Sequence, residues 1–389
     1  MRLGWRFYAD PVRLPLPTAL AACVLVLTAC TTGGSTDSAR DSPPKATTAP
    51  PTAPPTARGA TIKPSVPPGP PRVIRTVASH LQVPWGVAFL PDGTALVGER
   101  DTTRVLAISG GQVRVVGHVE SASPVGEAGL LGLAASPSFA SDRMVYAYVS
   151  TSVDNRVVRM RYAGQRLGEP VPVLTGIPNG FIHDGGRLLF APDGNLFVST
   201  GETGQPDLAQ DRSSLAGKIL RITPSGDPAP GDPFPGSPVW TLGHRNVQGL
   251  AFDDRGRLWA TEFGQDTWDE LNLIRRGGNY GWPHVEGRGD LPQYRNPLVT
   301  WRTDDASPSG LAYLDGSLWA GALRGTRLWQ IPVTADGVGH PRAWFVGDYG
   351  RMRTVTVAPD GNLWVTTSNR DGRGDPAPSD DRIIEVKVT

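Results

Sequence analysis

Two polar stretches of the chain carry residue types that move protons or stabilise charge. His183 stands in the stretch 182–188 (IHDGGRL), and a second stretch, 243–249 (GHRNVQG), ends at an apolar run. A histidine on a Gly-Gly loop has the right type for general-base chemistry near neutral pH. It can equally be a structural residue bonded to a carbonyl. Three consecutive polar side chains are costly to bury unpaired, so the second stretch is either a site or a solvated loop.

Two further stretches have residue types that suit ion binding. The segments 261–272 (TEFGQDTWDELN) and 277–283 (GGNYGWP) mix carboxylates with turn residues. Oxygen-only ligation of this kind suits calcium, although the EF-hand spacing is absent and a solvated acidic loop fits as well. Arg324, Arg327, Arg351 and Arg353 form a basic group. Positions 351 and 353 share one side of a strand, where two guanidiniums would suit a polyanionic ligand or simply face solvent.

Composition excludes several classes of protein. The 389 residues carry a net charge of +1, so no global footprint for nucleic acid exists. Two cysteines cannot build a disulfide scaffold or a structural zinc cluster. The chain has no HExxH, CxxC or GxSxG motif and no Gly-rich nucleotide loop. The 47 glycines and 38 prolines favour short strands joined by turns over a helical bundle.

The first part of the chain is typical of export. Residues 1–29 combine a basic start with an apolar run of about 16 residues, which is short for a membrane span and right for a signal peptide. The ending Leu27-Thr-Ala-Cys30 resembles a bacterial lipobox, which predicts a lipidated Cys30; an ordinary cleavage site beside a chance cysteine is the alternative. Residues 30–72 are rich in Pro and Thr and predict a disordered linker. We expect an extracytoplasmic protein held at the cell membrane by its lipid alone.

Residues 73–389 contain a repeated hairpin. An apolar strand, a turn of the Pro-Asp-Gly type and a second apolar strand recur six times at spacings of roughly 45 to 60 residues. The copies start at residues 85, 131, 188, 250, 311 and 355. Such spacing predicts an all-β fold, a six-bladed β-propeller; a β-sandwich would not need the repeat. We expect the C-terminal strand 382–388 to pair with a strand near 73–77 and close the ring.

Seven motifs, taken in order along the chain, resemble the soluble PQQ-dependent glucose/sorbosone dehydrogenases, also called aldose sugar dehydrogenases. The motifs lie at residues 83–86, 126–132, 183–188, 243–249, 262–272, 277–283 and 351–353. The resemblance implies an enzyme that oxidises an aldose sugar at its anomeric carbon to a lactone, with pyrroloquinoline quinone (PQQ) and calcium as cofactors. The electron acceptor remains open, and nucleic acid is not expected as a partner.

The resemblance also implies roles for individual residues. His183 would be the general base and Arg245 a second catalytic residue near the quinone oxygens. The cofactor-binding positions are Glu127, Arg245, Asn246, Arg324, Arg351 and Arg353. One calcium ion would take the backbone carbonyls of Gly264 and Gln265, and a structural calcium would take Glu270 and Tyr280.

Two departures from the family pattern stand out. Glu127 occupies a position where the family usually has Gln, and a carboxylate beside an anionic quinone is unfavourable unless it is protonated or turned away. Arg324 replaces a frequent Lys, which keeps the charge and changes the geometry. A non-catalytic surface propeller that binds glycan or protein, and a lactonase-type hydrolase, are the competing functions.

Overall fold

The computed structural model describes residues 70–388. The predicted signal peptide, Cys30 and almost all of the predicted linker lie outside this range. No helix within the described range is long and apolar enough to cross a membrane.

The first strand of the described range belongs to the last blade, and the first three blades follow it in chain order. Each of these blades is an antiparallel sheet, and its strands lie side by side from the centre of the ring to the rim. The strands are β1 (Arg72–Ala78), β2 (Pro84–Phe89), β3 (Ala95–Glu99), β4 (Arg104–Ser109), β5 (Gln112–His118), β6 (Leu130–Ala135), β7 (Met144–Ser150), β8 (Asn155–Ala163), β9 (Arg166–Leu167), β10 (Val171–Ile177), β11 (Leu188–Phe190), β12 (Leu196–Ser199), β13 (Lys218–Ile222) and β14 (Val239–Leu242). A short α-helix, Phe139–Asp142, and a 3-10 turn, Pro206–Ala209, interrupt them.

The remaining three blades repeat the same arrangement and complete the predicted six. Their strands are β15 (Val247–Phe252), β16 (Leu258–Glu262), β17 (Trp268–Ile274), β18 (Val299–Arg302), β19 (Pro308–Leu314), β20 (Ser317–Ala322), β21 (Arg327–Pro332), β22 (Arg342–Trp344), β23 (Met352–Val357), β24 (Leu363–Thr367) and β25 (Ile383–Lys387). The sixth sheet has the order β1-β25-β24-β23. The C-terminal β25 therefore pairs antiparallel with β1, with Arg72 opposite Lys387, and closes the ring as the sequence predicts.

The six repeated hairpins form the two innermost strands of the six blades. Five of their turns place a glycine at positive φ, such as Gly93 and Gly194 at 83°, a conformation that costs glycine little. The second copy has no glycine there, and the short helix Phe139–Asp142 connects its strands instead, with Arg143 at φ 58°.

The hydrophobic core lies between neighbouring blades. Six clusters of buried apolar residues are present in the described range. Five combine side chains from two adjacent blades, and the sixth adds Trp85 of the first blade to residues of the second and third. Trp259, Trp319 and Trp364 occupy matching second strands and are 0%, 0% and 7% exposed. Burying such a side chain contributes on the order of 3 kcal/mol each. The recurrent tryptophans therefore serve blade packing.

Candidate active site

The predicted site residues gather at one end of the ring because of the blade topology. The innermost strands all run in one direction along the channel, so the loops that precede them meet at one end. The loops before β6, β11, β15 and β23 carry Glu127, His183, Arg245 and Arg351 respectively. Residues that are far apart in the chain thus share one channel mouth.

His183 is a buried side chain with one ring nitrogen held and the other free. It is 8% exposed, and its Nδ1 forms a short hydrogen bond with Oε1 of Glu202, whose side chain is 1% exposed. An ionised carboxylate only accepts hydrogen bonds, so this contact places the proton of a neutral ring on Nδ1. The Nε2 atom has no hydrogen-bond partner within residues 70–388 and can accept a proton.

The backbone of His183 is held as firmly as its ring. Its φ angle is 60°, in the left-handed region, and its N–H donates to Oε2 of Glu127 at 3.0 Å. The His183 carbonyl accepts from the N–H of Thr203 at 3.2 Å and lies against Gly201. Neighbouring loops therefore over-determine the position of the imidazole.

Gly201→Ala is expected to destabilise the fold by several kcal/mol, because an added Cβ would overlap the His183 carbonyl. The φ of Gly201 is not in the left-handed region, so the effect is steric, and overpacking of this kind costs about 1–3 kcal/mol or more. Urea unfolding followed by tryptophan fluorescence measures the change. Gly168→Ala is the matched control, since a Cβ there makes only ordinary contacts, the nearest at 3.4 Å. Equal unfolding free energies for the two variants would contradict the packing described here.

Asp184, the residue after His183, is held by three hydrogen bonds. Its Oδ1 accepts from Asn155 Nδ2 at 2.9 Å and from the Gly180 N–H at 3.1 Å. The Tyr148 hydroxyl donates to its carbonyl at 2.8 Å. Burial raises the pKa of Asp184 to about 7, so this carboxyl carries only part of a negative charge near neutral pH.

Arg245 and Asn246 enter the site from the fourth blade. The Arg245 Nη1 donates to the Gly264 carbonyl at 2.6 Å, while its Nε is buried without a partner among the described residues. Burial lowers the pKa of Arg245, but a guanidinium stays charged. Asn246 Oδ1 accepts from the Gly185 N–H at 3.1 Å. The site therefore holds a donor of charge-assisted hydrogen bonds that the described protein atoms do not fully use.

His244 differs from His183 in that both of its ring nitrogens are engaged. Its Nδ1 bonds Glu262 at 2.8 Å, and its Nε2 bonds the Thr241 hydroxyl at 2.9 Å. The ring is fully buried and stacks on Tyr280 with 4.6 Å between centroids. We therefore assign His244 to structure rather than to proton transfer.

The structure brings Arg351 and Arg353 together through one carboxylate. Arg351 donates to Oδ2 of Asp371 from Nε at 3.1 Å and from Nη2 at 3.0 Å, and Arg353 Nη2 reaches the same oxygen at 3.4 Å. Arg351 precedes β23, whose register shifts between Met352 and Val355, so strand alternation alone does not explain the pairing. Burial lowers the pKa of Arg353 to about 10.

Arg324 is set apart from this pair. It forms a short ion pair with Asp304, and the two side chains are 61% and 72% exposed. Its neighbour Leu323 lines the same cavity as Arg353. In the described residues no contact joins the Arg324 guanidinium to Arg351 or Arg353, so the sequence grouping of three arginines is only partly reproduced.

A narrow cavity of about 10 Å³, with room for about one water molecule, lies between these groups. Its charged lining residues are Arg100, Arg353, Arg373, Glu127 and Asp184. Trp85 forms part of the wall, with the guanidiniums of Arg187 and Arg353 at 4.2 and 5.9 Å from its ring centroid. This enclosed space is far smaller than a small-molecule site, so a larger ligand would lie against its charged lining at the open channel mouth. Three arginines face two carboxyl groups, so the lining is net positive whether or not Asp184 is ionised, and it suits an anionic ligand.

Glu127 is ionised and turned toward partners. Its Oε1 accepts from Arg373 Nη1 at 2.8 Å, and its Oε2 lies 3.5 Å from Asn246 Nδ2. Burial alone would raise the pKa of Glu127, but the hydrogen bonds from the His183 N–H and from Arg373 bring it below its usual value. The protonated form considered from the sequence is therefore not supported.

The four predicted metal positions fall into two places. The Gly264 carbonyl already accepts from Arg245, and one carboxylate oxygen of Glu286 accepts from four successive N–H groups, Gln265 to Trp268. Glu270 faces Glu262 across the β16–β17 ladder, and burial together with that charge raises the pKa of Glu270 to about 8.

Tyr280 can contribute to a metal site only through its main-chain oxygen. Its hydroxyl donates to the Leu273 carbonyl at 2.8 Å and accepts from the Arg275 N–H. Across residues 70–388, no group of three or more His, Cys, Asp or Glu side chains is arranged to hold a metal. The available donors are carbonyl and carboxylate oxygens, the types that calcium prefers.

Sequence reasoning missed several residues that build the site. Glu202, Asp371 and Arg373 are fixed by contacts 18 to 246 positions away in the chain. Glu202 lies in 201–204 (GETG) and the others in 370–374 (RDGRG), which read as ordinary turns. Only the position of Glu202 after the second strand of a hairpin, at the channel mouth, offered a usable signal.

Comparison with known proteins gives matches over most of the described range. A family model for glucose / sorbosone dehydrogenase matches residues 81–375. The structure of a PQQ-bound aldose sugar dehydrogenase from Streptomyces coelicolor is 54% identical with a TM-score of 0.80, covering 82% of this chain and 98% of that one. A structure from Thermus thermophilus, named as a putative oxidoreductase (glucose dehydrogenase), is 45% identical with a TM-score of 0.78, covering 82% of this chain and 100% of that one. Aldose sugar dehydrogenase YliI of Escherichia coli is 27% identical over 345 residues, 77% of this chain and 91% of that protein.

Proposed function

This chain belongs to the glucose/sorbosone dehydrogenase family, and on that premise we propose that it oxidises aldose sugars at the anomeric carbon to lactones with PQQ as cofactor. One observation carries the proposal. His183 has its Nδ1 held by buried Glu202 and its Nε2 free, beside a cavity whose charged lining is net positive. A general base and a group of cationic side chains at one channel mouth suit an oxidation with a polyanionic quinone.

The charged residues around the cavity suit the three carboxylates of PQQ, which would lie against them at the channel mouth. Arg353 and Arg373 line the space, Arg351 shares Asp371 with Arg353, and Arg245 has an unused buried Nε. Guanidinium groups bind carboxylates through paired, charge-assisted hydrogen bonds. When bound, PQQ would supply a quinone as the acceptor for the hydride from C1 of the sugar, and the proton of the O1 hydroxyl would pass to the protein.

His183 receives that proton at Nε2 in the proposed reaction. Proton uptake turns the ring into a cation, and the Glu202 carboxylate on Nδ1 stabilises the new charge in a site where water is largely excluded. The hydrogen bond also keeps the ring in the tautomer that can accept. Arg245 holds positive charge beside the cofactor cavity, and Asn246 fixes the Gly185 loop that follows the base.

Calcium would take main-chain oxygens in this proposal. Gly264 and Gln265 offer two carbonyls, of which the first is shared with Arg245, so a calcium ion there needs further oxygens to reach its usual six to eight. The ion would supply a fixed positive charge for the cofactor. Glu270 with the Tyr280 carbonyl would form the structural site. Because the pKa of Glu270 is raised, calcium binding there would displace a proton from its carboxyl group.

The proposed cellular location of the protein rests on the first 72 residues. We propose an extracytoplasmic protein anchored by lipid at Cys30, because a basic start, an apolar run and a lipobox-like ending precede a Pro-rich spacer. Mass spectrometry of the N-terminal peptide of the mature protein tests this proposal. An unmodified N-terminus at another residue would overturn it.

Reconstitution of the purified apoprotein with PQQ and calcium tests the proposed activity. We expect micromolar PQQ to bind and an artificial dye to be reduced in the presence of at least one member of an aldose panel, with lactone detected by NMR. A parallel sample without PQQ is the control. Failure to bind micromolar PQQ, or opening of lactones by metal alone without PQQ, would contradict the proposal.

A further inference from the structure

Arg373 is a charged group at the channel mouth that no motif of the family resemblance includes. It stands on the loop between β24 and β25, and its side chain is 51% exposed. Its Nη1 donates to Glu127 at 2.8 Å, and its Nε and Nη2 donate to no residue of the range 70–388. Two guanidinium nitrogens of Arg373 thus have no hydrogen-bond partner among the described residues at the wall of the net-positive cavity.

The loop that carries Arg373 is tied to the other arginines of the cavity. Asp371 accepts from Arg351 and Arg353 through Oδ2 and from the Arg373 N–H through Oδ1 at 3.0 Å. Gly374 packs so closely that an added Cβ would lie 2.8 Å from Cδ of Arg351. The position of Arg373 is therefore coupled to the two buried guanidiniums.

The same loop reaches across the channel mouth to Glu127, which precedes the first strand of the second blade. Glu127 takes Arg373 on one oxygen and the His183 N–H on the other. An ionised carboxylate beside an anionic cofactor repels it unless a cation neutralises that charge. Arg373 is the cation that the structure supplies, which explains how glutamate can occupy this position.

We propose that Arg373 is a further cofactor-binding residue, which neutralises Glu127 and donates its free nitrogens to a carboxylate of the bound quinone cofactor. This inference rests on the proposed function. The planar guanidinium of Arg373 can bind two carboxylates at once, because its five N–H donors point in different directions. Lysine would provide the charge without that fork.

PQQ affinity of the calcium-supplemented apoprotein, measured by quenching of tryptophan fluorescence, tests the inference without relying on turnover. Arg373→Gln is expected to weaken binding by about tenfold or more, since a charge-assisted hydrogen bond contributes on the order of 1.5–3 kcal/mol. The PQQ affinity of Arg373→Lys should fall between those of the parent and Arg373→Gln. Glu127→Gln alone should change the affinity by less than about threefold, because the amide oxygen can still accept from the His183 N–H.

The double variant Glu127→Gln/Arg373→Gln separates the two parts of the role. It should recover part of the lost affinity, because the repelling carboxylate is gone, and remain weaker than Glu127→Gln, because the donor is missing. Arg370→Gln is the matched control. It removes the same charge from the same loop, but Arg370 is exposed, donates to the Asp380 carbonyl and is not part of the cavity wall.

Several outcomes would overturn the inference. Parent-like affinity of Arg373→Gln, an equal loss in Arg370→Gln, or equal affinity of the double variant and Glu127→Gln would each exclude direct binding by Arg373. Because Arg373 is half exposed, we expect unchanged unfolding temperatures in its variants. If the parent itself binds no PQQ, the proposed function fails together with this inference, and the parent measurement distinguishes that case.

Discussion

His183→Asn is expected to lower kcat by a factor of about 10²–10⁴, the usual contribution of a general base, while PQQ still binds. Asparagine is chosen because His183 has φ 60°, and asparagine tolerates the left-handed region better than alanine. The loss follows from removal of Nε2, which is the ring nitrogen of His183 that has no hydrogen-bond partner in the described range. Steady-state kinetics with a dye acceptor, together with a PQQ titration, measures both effects.

His284→Asn is the control for this prediction. His284 is exposed and stacks on the ring of Tyr294 with 6.0 Å between centroids, so its loss should leave kcat within about twofold. Turnover of His183→Asn above about a tenth of the parent value would remove His183 from the role of base. Loss of PQQ binding together with turnover would indicate that the residue supports the cavity instead.

Glu202→Gln is expected to lower kcat by about 10²–10⁴ with little change in KM. The amide cannot stabilise a positive imidazolium as a carboxylate does, and if its NH₂ donates to Nδ1, the ring proton moves to Nε2, where it blocks proton uptake. Replacing the buried acid of a serine protease triad by its amide lowers kcat by about 10⁴ for the same reason. The split between kcat and KM identifies a positioning role that a general loss of structure would not produce.

The control for Glu202→Gln is Glu169→Gln, which removes an equal charge at an exposed position. Glu202 has one buried carboxylate oxygen without a partner among the described residues, so we expect the neutral amide to leave the unfolding free energy unchanged or higher. A kcat equal to that of Glu169→Gln would contradict the tautomer argument. A large fall in stability would assign Glu202 to the fold.

Much of the fold could be predicted from the sequence because the blade is a local unit. The hairpin turns depend on Pro, Asp and Gly within four residues, and the spacing of the copies reports the ring directly. The closure by β1 and β25 also followed, because a ring of four-stranded blades leaves one strand to be supplied from the other terminus.

The site was predictable only where a motif was contiguous. His183, Arg245 and Asn246 lie on short loops that lead into innermost strands, so topology alone brings them to one end. Asp371 and Arg373 lie on an irregular loop whose path depends on contacts with Arg351 and Glu127. No local pattern encodes such a path. For the same reason the sequence could not separate exposed Arg324 from the buried arginines.

The central claim is that this chain couples sugar oxidation to reduction of PQQ, and one anaerobic experiment tests it most directly. The PQQ- and calcium-loaded protein is mixed with an aldose in the absence of any acceptor, and the absorption spectrum is recorded. We predict that the quinone band is replaced by the quinol band, with one sugar consumed and one lactone formed for each PQQ. An unchanged quinone spectrum across the whole aldose panel, with PQQ demonstrably bound, would contradict the account.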